Sequence, residues 1–266
     1  MDTSDKLNVI SLGAGKQSSY MLLNALDGAY RHKPDFAIFS DTGCEPQYVY
    51  DYLRWLKNYC IEKYNFNIFI VSTGNLMQDV IDYITGSRKR VSMLPLRMKK
   101  QGLLDAAILP RQCTADYKIA PLRRHLQTIR NRKRIRLWIG ISLDEIERVK
   151  CSPVKYIEHY YPLIENRIGI DQIVNWFSVN NLPEPGKSAC LICPFHSFEY
   201  WSMLKRFQER EFRIACDFDD KIRNYPGLRR KTYLSDRLRP LRDIDFTKYP
   251  TLFPDLIDEC HGMCGL

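Results

Sequence analysis

The chain has 266 residues, 45% of them hydrophobic, and a formal charge of +9. A chain this long buries roughly three quarters of its unfolded surface, so a disulfide scaffold is unnecessary, and no apolar run approaches the roughly eighteen residues of a membrane span. The opening MDTSDKLNVISLG places no positive stretch ahead of an apolar one, so the expectation is a cytoplasmic protein with no membrane attachment. Nine cysteines are many for a reducing compartment and point to metal binding or thiol chemistry. Basic clusters at Arg88, Lys89 and Arg90, at Arg97, Lys99 and Lys100, and from Arg123 to Arg136 suit phosphorylated partners, although solvated helix faces carry similar clusters.

In chain order, short β-rich runs alternate with amphipathic ones: strand over 8–12, helix over 18–26, strand over 36–40, helix over 49–59, strand over 68–72 and helix over 76–84. This βαβα rhythm predicts a parallel sheet covered by helices. A basic helical stretch over 119–130 leads into a buried strand over 136–141. Ligands of open α/β sheets gather at the carboxyl ends of strands, which brings Gly13, Asp41, Ser72 and Ser142 toward one crevice. The rhythm stops after about Cys151, and the breaker-rich Leu182-Pro183-Glu184-Pro185-Gly186 divides the chain. The expected organisation is therefore an α/β nucleotide-binding domain over 1–181, with an open parallel sheet and helices on both faces. A small, mainly helical, cysteine-containing module follows over 182–266.

The segment Gly13-Ala14-Gly15-Lys16-Gln17-Ser18-Ser19 passes from strand to helix through small residues. Successive backbone N–H groups and a helix start make an anion site, Ser18 and Ser19 supply caps or hydroxyl donors, and Lys16 supplies a positive charge. A Walker A loop needs glycine at position 10 and Ser or Thr at 17, where Ile10 and Gln17 stand. A dinucleotide fingerprint needs Gly or Ala where Ser18 stands. Both are excluded by spacing.

Two further motifs fall at strand exits. In Asp41-Thr42-Gly43-Cys44-Glu45, Asp41 suits a ribose, an amino group or magnesium, and Glu45 suits the cap of the next helix; a plain helix start explains the segment too. In Gly140-Ile141-Ser142-Leu143-Asp144-Glu145-Ile146-Glu147-Arg148, the paired acids suit magnesium, or Ser142 and Glu145 form a capping box.

Cys190-Leu191-Ile192-Cys193 and Cys260-His261-Gly262-Met263-Cys264 are two close thiol pairs, able to make a tetrahedral zinc site with His196 and His261 as substitutes. Cys113, at the entrance to a basic helix, stands where a thiolate is favoured. Cys44, Cys60, Cys151 and Cys216 read as core residues, Cys44 least securely. After Phe195, apolar positions 198, 201, 204 and 207 predict a helix packed against the module's core.

The loop resembles the Ser-Gly-Gly-x-Asp-Ser signature of the PP-loop (ATP pyrophosphatase) family, with Gly13, Ala14 and Gln17 as departures. The Asp-Thr-Gly-x-Glu, Cys-Thr-x-x-Tyr-Lys and Gly-Ile-Ser-x-Asp-Glu-x-x-Arg segments resemble its phosphoadenylylsulfate reductase-like branch. The resemblance implies an ATP site of Ser11, Gly13, Ala14, Gly15, Lys16, Gln17, Ser18, Ser19, Asp41, Thr42, Gly43, Gly140 and Ser142, with magnesium, and Lys16, Asp41 and Cys113 as catalytic residues. Zinc on Cys190, Cys193, Cys260 and Cys264 completes the expected set; the competing arrangement, implied by a resemblance to tRNA-thiolating relatives, joins Cys113 to Cys190 and Cys193 as three ligands of a [4Fe–4S] cluster. The activity implied is ATP-dependent sulfur transfer: a nucleobase carbonyl, in a purine nucleotide or in tRNA, is adenylated with release of pyrophosphate and then takes sulfur from a Cys113 persulfide. A sulfur donor such as a cysteine desulfurase is implied, and a homodimer is compatible. The alternatives are a phosphoadenylylsulfate or adenylylsulfate reductase, and a non-catalytic nucleotide-binding component of a nucleic-acid modification system.

Overall fold

The computed structural model describes residues 6–99 and 106–246. Its main sheet has five parallel strands, β1 (Lys6–Leu12), β2 (Phe36–Asp41), β3 (Ile68–Ser72), β6 (Arg134–Ile139) and β7 (Ile157–Tyr160), in the order β3-β2-β1-β6-β7. The chain moves outward from β1 to β3, then returns to the other side of β1 for β6. The strand order therefore reverses between β1 and β6, the place where an open sheet leaves a crevice beyond its carboxyl ends.

Alternation along β1 explains the layering. Ile10 packs with helices α1 (Lys16–Leu26), α2 (Gln47–Tyr64) and α6 (Ile170–Val179) on one face. Its neighbour Val9 packs with Leu122 and Leu126 of α4 (Ala120–Ile129) on the other. Both residues are fully buried, so a one-residue register slip would exchange two different apolar environments. Helix α2 ends where Asn65 adopts a left-handed conformation (φ 50°) and its N–H donates to the Ile61 carbonyl, a common stop for a long amphipathic helix.

A second core joins α3 (Leu76–Ile84) and residues between 91 and 117 to the helices α7 (Phe198–Phe207) and α8 (Glu209–Lys221). A small antiparallel sheet, ordered β5 (Ala106–Ile108), β4 (Arg97–Lys99), β8 (Thr232–Tyr233), lies beside it. Ser197 caps α7 by accepting from the Tyr200 N–H, and the helix buries Trp201 and Leu204 as its spacing predicts. Phe207 departs from that expectation and is 56% exposed, because α7 ends there and turns into α8. Among the described residues no helix is long and apolar enough to cross a membrane.

Candidate nucleotide and thiol site

Beyond the carboxyl ends of β1 and β6 lies a cavity lined by Gly13, Gly15, Gln17 and Ser18 of the glycine-rich loop, with Ser11, Gly140, Lys118, Arg123, Arg148, His159 and Ser188 around it. The loop closes on itself. Gly13 N–H donates to Ser18 Oγ at 3.1 Å, Ser18 Oγ donates to the Gly15 carbonyl at 3.3 Å, and Ser188 Oγ donates to the Gly13 carbonyl. The first amides of α1 carry no intrahelical partner by geometry, so the helix start faces the cavity as an anion site. Helix α1 is capped by Gly15 without any side-chain bond, which corrects the expectation that Ser18 or Ser19 caps it: Ser18 ties the loop and Ser19 is fully buried, away from the cavity lining. Ala14 occupies the left-handed region (φ 59°) with its methyl group buried in the core. Lys16 is ion-paired to Glu184 of the breaker-rich segment, so a bound phosphate would compete with that carboxylate for it.

The β6 exit packs directly on this loop. A Cβ on Gly140 would lie 2.8 Å from Ser18 Cα and 2.9 Å from its N. Gln17 Nε2 donates to Ser142 Oγ at 3.1 Å and to Glu145 Oε2 at 2.7 Å. The capping-box reading is overturned: Ser142 opens a 3-10 turn (Leu143–Arg148) without a side-chain cap bond, and Glu145 pairs with Arg148. Asp144 accepts from Ile170 N–H at the start of α6. The two acids thus serve separate structural partners. His159 has its Nδ1–H on the Lys150 carbonyl at 2.9 Å; burial holds its pKa below the usual histidine value, and Arg123 adds to that.

The second motif faces another way. Asp41 Oδ1 accepts from Gly43 N–H at 2.8 Å and from Tyr50 at 2.9 Å, fixing a tight turn in which Gly43 has φ 72°. Neither Asp41 nor Glu45 caps α2, whose first turn holds no acid and whose N-cap is Pro46. Glu45 instead turns inward: it accepts from Thr42 Oγ1 at 3.1 Å and from Cys190 Sγ at 3.5 Å, and lies 3.5 Å from Lys118 Nζ.

That network borders a second cavity, lined by Thr42, Arg111, Cys113, Lys118, Cys190 and Cys193 with Leu76, Leu94, Pro95, Ile192 and Pro194. Lys118 lines both cavities. Cys113 stands immediately before a π-helical turn (Thr114–Ile119) that leads into α4. His196 Nε2–H donates to the Cys190 carbonyl at 2.8 Å while its ring stacks on Tyr200 at 3.6 Å, so His196 braces the Cys-x-x-Cys turn. A hydrogen bond with Cys44, burial and the Glu45 carboxylate push the Cys190 thiol well above its ordinary pKa; Lys118 opposes them.

None of the described cysteines is disulfide-bonded, and among the described residues no three Cys, His, Asp or Glu side chains converge on a single-ion position. Of the expected zinc ligands, Cys190 and Cys193 sit on the thiol cavity; Cys260 and Cys264 lie outside the described residues, as does His261. Cys113, Cys190 and Cys193 line one cavity although about eighty residues of chain separate the first from the other two.

Sequence patterns do not single out Glu45 as a contact of Cys190, nor Arg123, His159 and Ser188 as cavity residues; Lys118 and Arg148 close two of the motifs quoted above but carried no role there. Each reaches the site through long-range packing, and only the repeated Lys and Arg of the flanking segments hinted at a cationic wall. No family model matches the chain, and no curated protein does. Among solved structures, the chain is similar to the U34-tRNA thiolase NcsA from Methanococcus maripaludis with its [4Fe-4S] cluster, at 16% identity over 98% of this chain and 81% of that one, with a TM-score of 0.46. An overlap this loose carries no inference for the present site.

Proposed function

We propose that the chain is an ATP-dependent sulfurtransferase that adenylates a nucleobase carbonyl, releases pyrophosphate and replaces the oxygen with sulfur. The observation that carries this reading is the adjacency of the two cavities: an anion-binding glycine loop and a wall of three cysteines, with Lys118 on both. The loop amides hold phosphate oxygens, with Ser18 fixing the loop's shape, and Lys118, Arg123 and Arg148 offset their charge. The nucleobase oxygen attacks the α-phosphorus and pyrophosphate leaves; sulfur then adds to the activated carbon, and AMP departs with the former carbonyl oxygen. The step balances when sulfide adds, with one ATP consumed and AMP and pyrophosphate released; sulfur from a donor such as a cysteine desulfurase arrives as a persulfide, and a thiol reductant supplies the two electrons that bring it to the sulfide level.

Within this reading, Cys113, Cys190 and Cys193 would hold a [4Fe–4S] cluster, with His196 bracing the Cys190 backbone and Lys118 offsetting thiolate charge against the neighbouring Glu45. Held on three thiolates, such a cluster would supply an open iron to carry sulfur. Cys113 then acts as a ligand, which replaces its expected role as a persulfide carrier. Anaerobic purification with iron and sulfide analysis tests the assignment. Cys113→Ser, Cys190→Ser and Cys193→Ser should each lose most of the iron, whereas Cys260→Ser and Cys264→Ser should keep it. A colourless protein with a single zinc, lost on changing Cys260 or Cys264, restores the zinc set. ATP-to-pyrophosphate turnover and thiolated product, followed with GMP and with tRNA as acceptors, test the reaction itself.

A further inference from the structure

The small sheet presents an outward row of cationic and large side chains. Directly opposed residues of antiparallel strands share a face, so Ile108, Arg97 and Tyr233 stand side by side across β5, β4 and β8, and Lys99 joins them two residues along β4. The opposite face is the inner one: Thr232 is fully buried and Met98 packs on the second core. Ile108 is 47% exposed on the outward row.

Arg97 connects this row to the cysteines. Its Nε–H donates to the Pro194 carbonyl at 3.2 Å, and Pro194 lines the thiol cavity. Half-buried Phe195 follows, with the Arg97 guanidinium 5.9 Å and the Arg111 guanidinium 5.5 Å from its ring centre; Arg111 also lines the cavity. Along the sheet's far edge, Arg229 and Lys231 are exposed. The described residues at 97–99, 106–111 and 228–233 include no acid. Cations at Arg97, Lys99, Arg111, Arg229 and Lys231, with the Phe195 ring between two of them and next in the chain to cavity-lining Pro194, match the two needs of single-stranded nucleic acid: cations for the backbone and a ring for a base. An acidic peptide would use the cations and leave the ring idle.

We propose that the β5-β4-β8 face and Phe195 form a docking surface for a single-stranded nucleic acid, which crosses the sheet and turns one base over Phe195 into the thiol cavity. The role of that base as sulfur acceptor rests on the sulfurtransferase reading; the docking itself does not. It selects a polynucleotide over a free nucleotide, because the cations extend along the sheet beyond the reach of one phosphate.

The test uses the full-length protein, purified anaerobically, and a labelled single-stranded RNA of about twelve nucleotides, titrated by fluorescence anisotropy over a salt series. Phe195→Leu keeps the apolar volume and removes the stacking ring; it should weaken binding about tenfold at unchanged melting temperature. Arg229→Gln with Lys231→Gln, both at exposed positions, should lower the slope of log K against log salt by about 0.7 per lost phosphate contact. GMP should compete poorly. Unchanged affinity in Phe195→Leu together with an unchanged slope in the double variant overturns the surface. Competition by GMP at concentrations equal to the RNA overturns the polynucleotide, and equal displacement by polyglutamate overturns the base-reading part. Thiolation tested separately keeps the two readings distinct: RNA bound but never thiolated sinks sulfur transfer and leaves docking intact, while thiolated GMP from a protein indifferent to RNA does the reverse.

Discussion

Gly140 has no room for a side chain, because the nearest atoms to an added Cβ are backbone atoms of Ser18 and Gln17 in the glycine-rich loop. Gly140→Ala should therefore displace the loop or strain β6, costing about 1–3 kcal/mol of stability, with ATP affinity weakened at least tenfold. Chemical denaturation and nucleotide titration measure the two separately; native affinity in this variant would mean that the loop tolerates the shift. Ala14 makes a contrasting case. Its left-handed backbone costs about 1–2 kcal/mol, which Ala14→Gly would relieve, while the loss of a buried methyl group removes about 0.8 kcal/mol. The added freedom of glycine in the unfolded chain erodes the gain further, so the melting temperature should change little. At this scale the glycine loop was legible because small residues between strand and helix have few other uses. The tie made by Ser18 was not, since capping and loop closure demand the same hydroxyl at the same position. Glu45 was misread for a related reason: an acid just ahead of a helix suggests a cap, and its partner Cys190 lies 145 residues away.

The π-helical turn Thr114–Ile119 holds an extra residue relative to an α-helix and thereby sets the direction in which Cys113 enters the chain's second cavity. Deleting exposed Ala115 should let the turn relax into α-helical register while α4 remains anchored by buried Leu122 and Leu126. Residues ahead of the deletion then rotate by about 100° about the helix axis. The expected outcome is a folded protein with near-native circular dichroism that retains little iron; full iron retention would show that the turn does not position Cys113. Ser197→Ala removes the α7 cap and should cost about 1 kcal/mol in a denaturant melt, without altering ATP binding. Most elements of the first half were readable, and α3 matches its expected bounds, because its strongly one-sided apolar face leaves little ambiguity. Strand β7 and helices α5 (Pro162–Glu165) and α6 were missed. Four residues, Ile-Glu-His-Tyr, are too short to display a period, and β7 becomes a strand only by pairing with β6.

For the whole molecule, the decisive feature is that the sheet-end cavity and the cysteine cavity are neighbours with one shared cation. Lys118 is held there twice: its carbonyl accepts from Ser40 Oγ on β2 at 2.8 Å, and its Nζ lies 3.5 Å from Glu45 beside Cys190. A nucleotide phosphate that attracts Lys118 takes positive charge away from the thiols. In the metal-free chain, a saturating non-hydrolysable ATP analogue should therefore slow alkylation of Cys190 about two- to tenfold, the change expected when a shift of up to about one pK unit lowers the thiolate fraction. Mass spectrometry of iodoacetamide-treated protein reads each cysteine separately, with exposed Cys151 as the internal reference. Lys118→Met should abolish the difference while the analogue still binds, more weakly. Equal slowing of Cys151, or protection that survives in Lys118→Met, would assign the effect to general tightening of the protein. Coupling of this kind is reciprocal: whatever factor the nucleotide imposes on binding at the cysteine wall, occupation of that wall imposes on the nucleotide. Comparing ATP-analogue affinity in iron-loaded and metal-free protein measures the same coupling from the other side, and in Lys118→Met the two affinities should draw together.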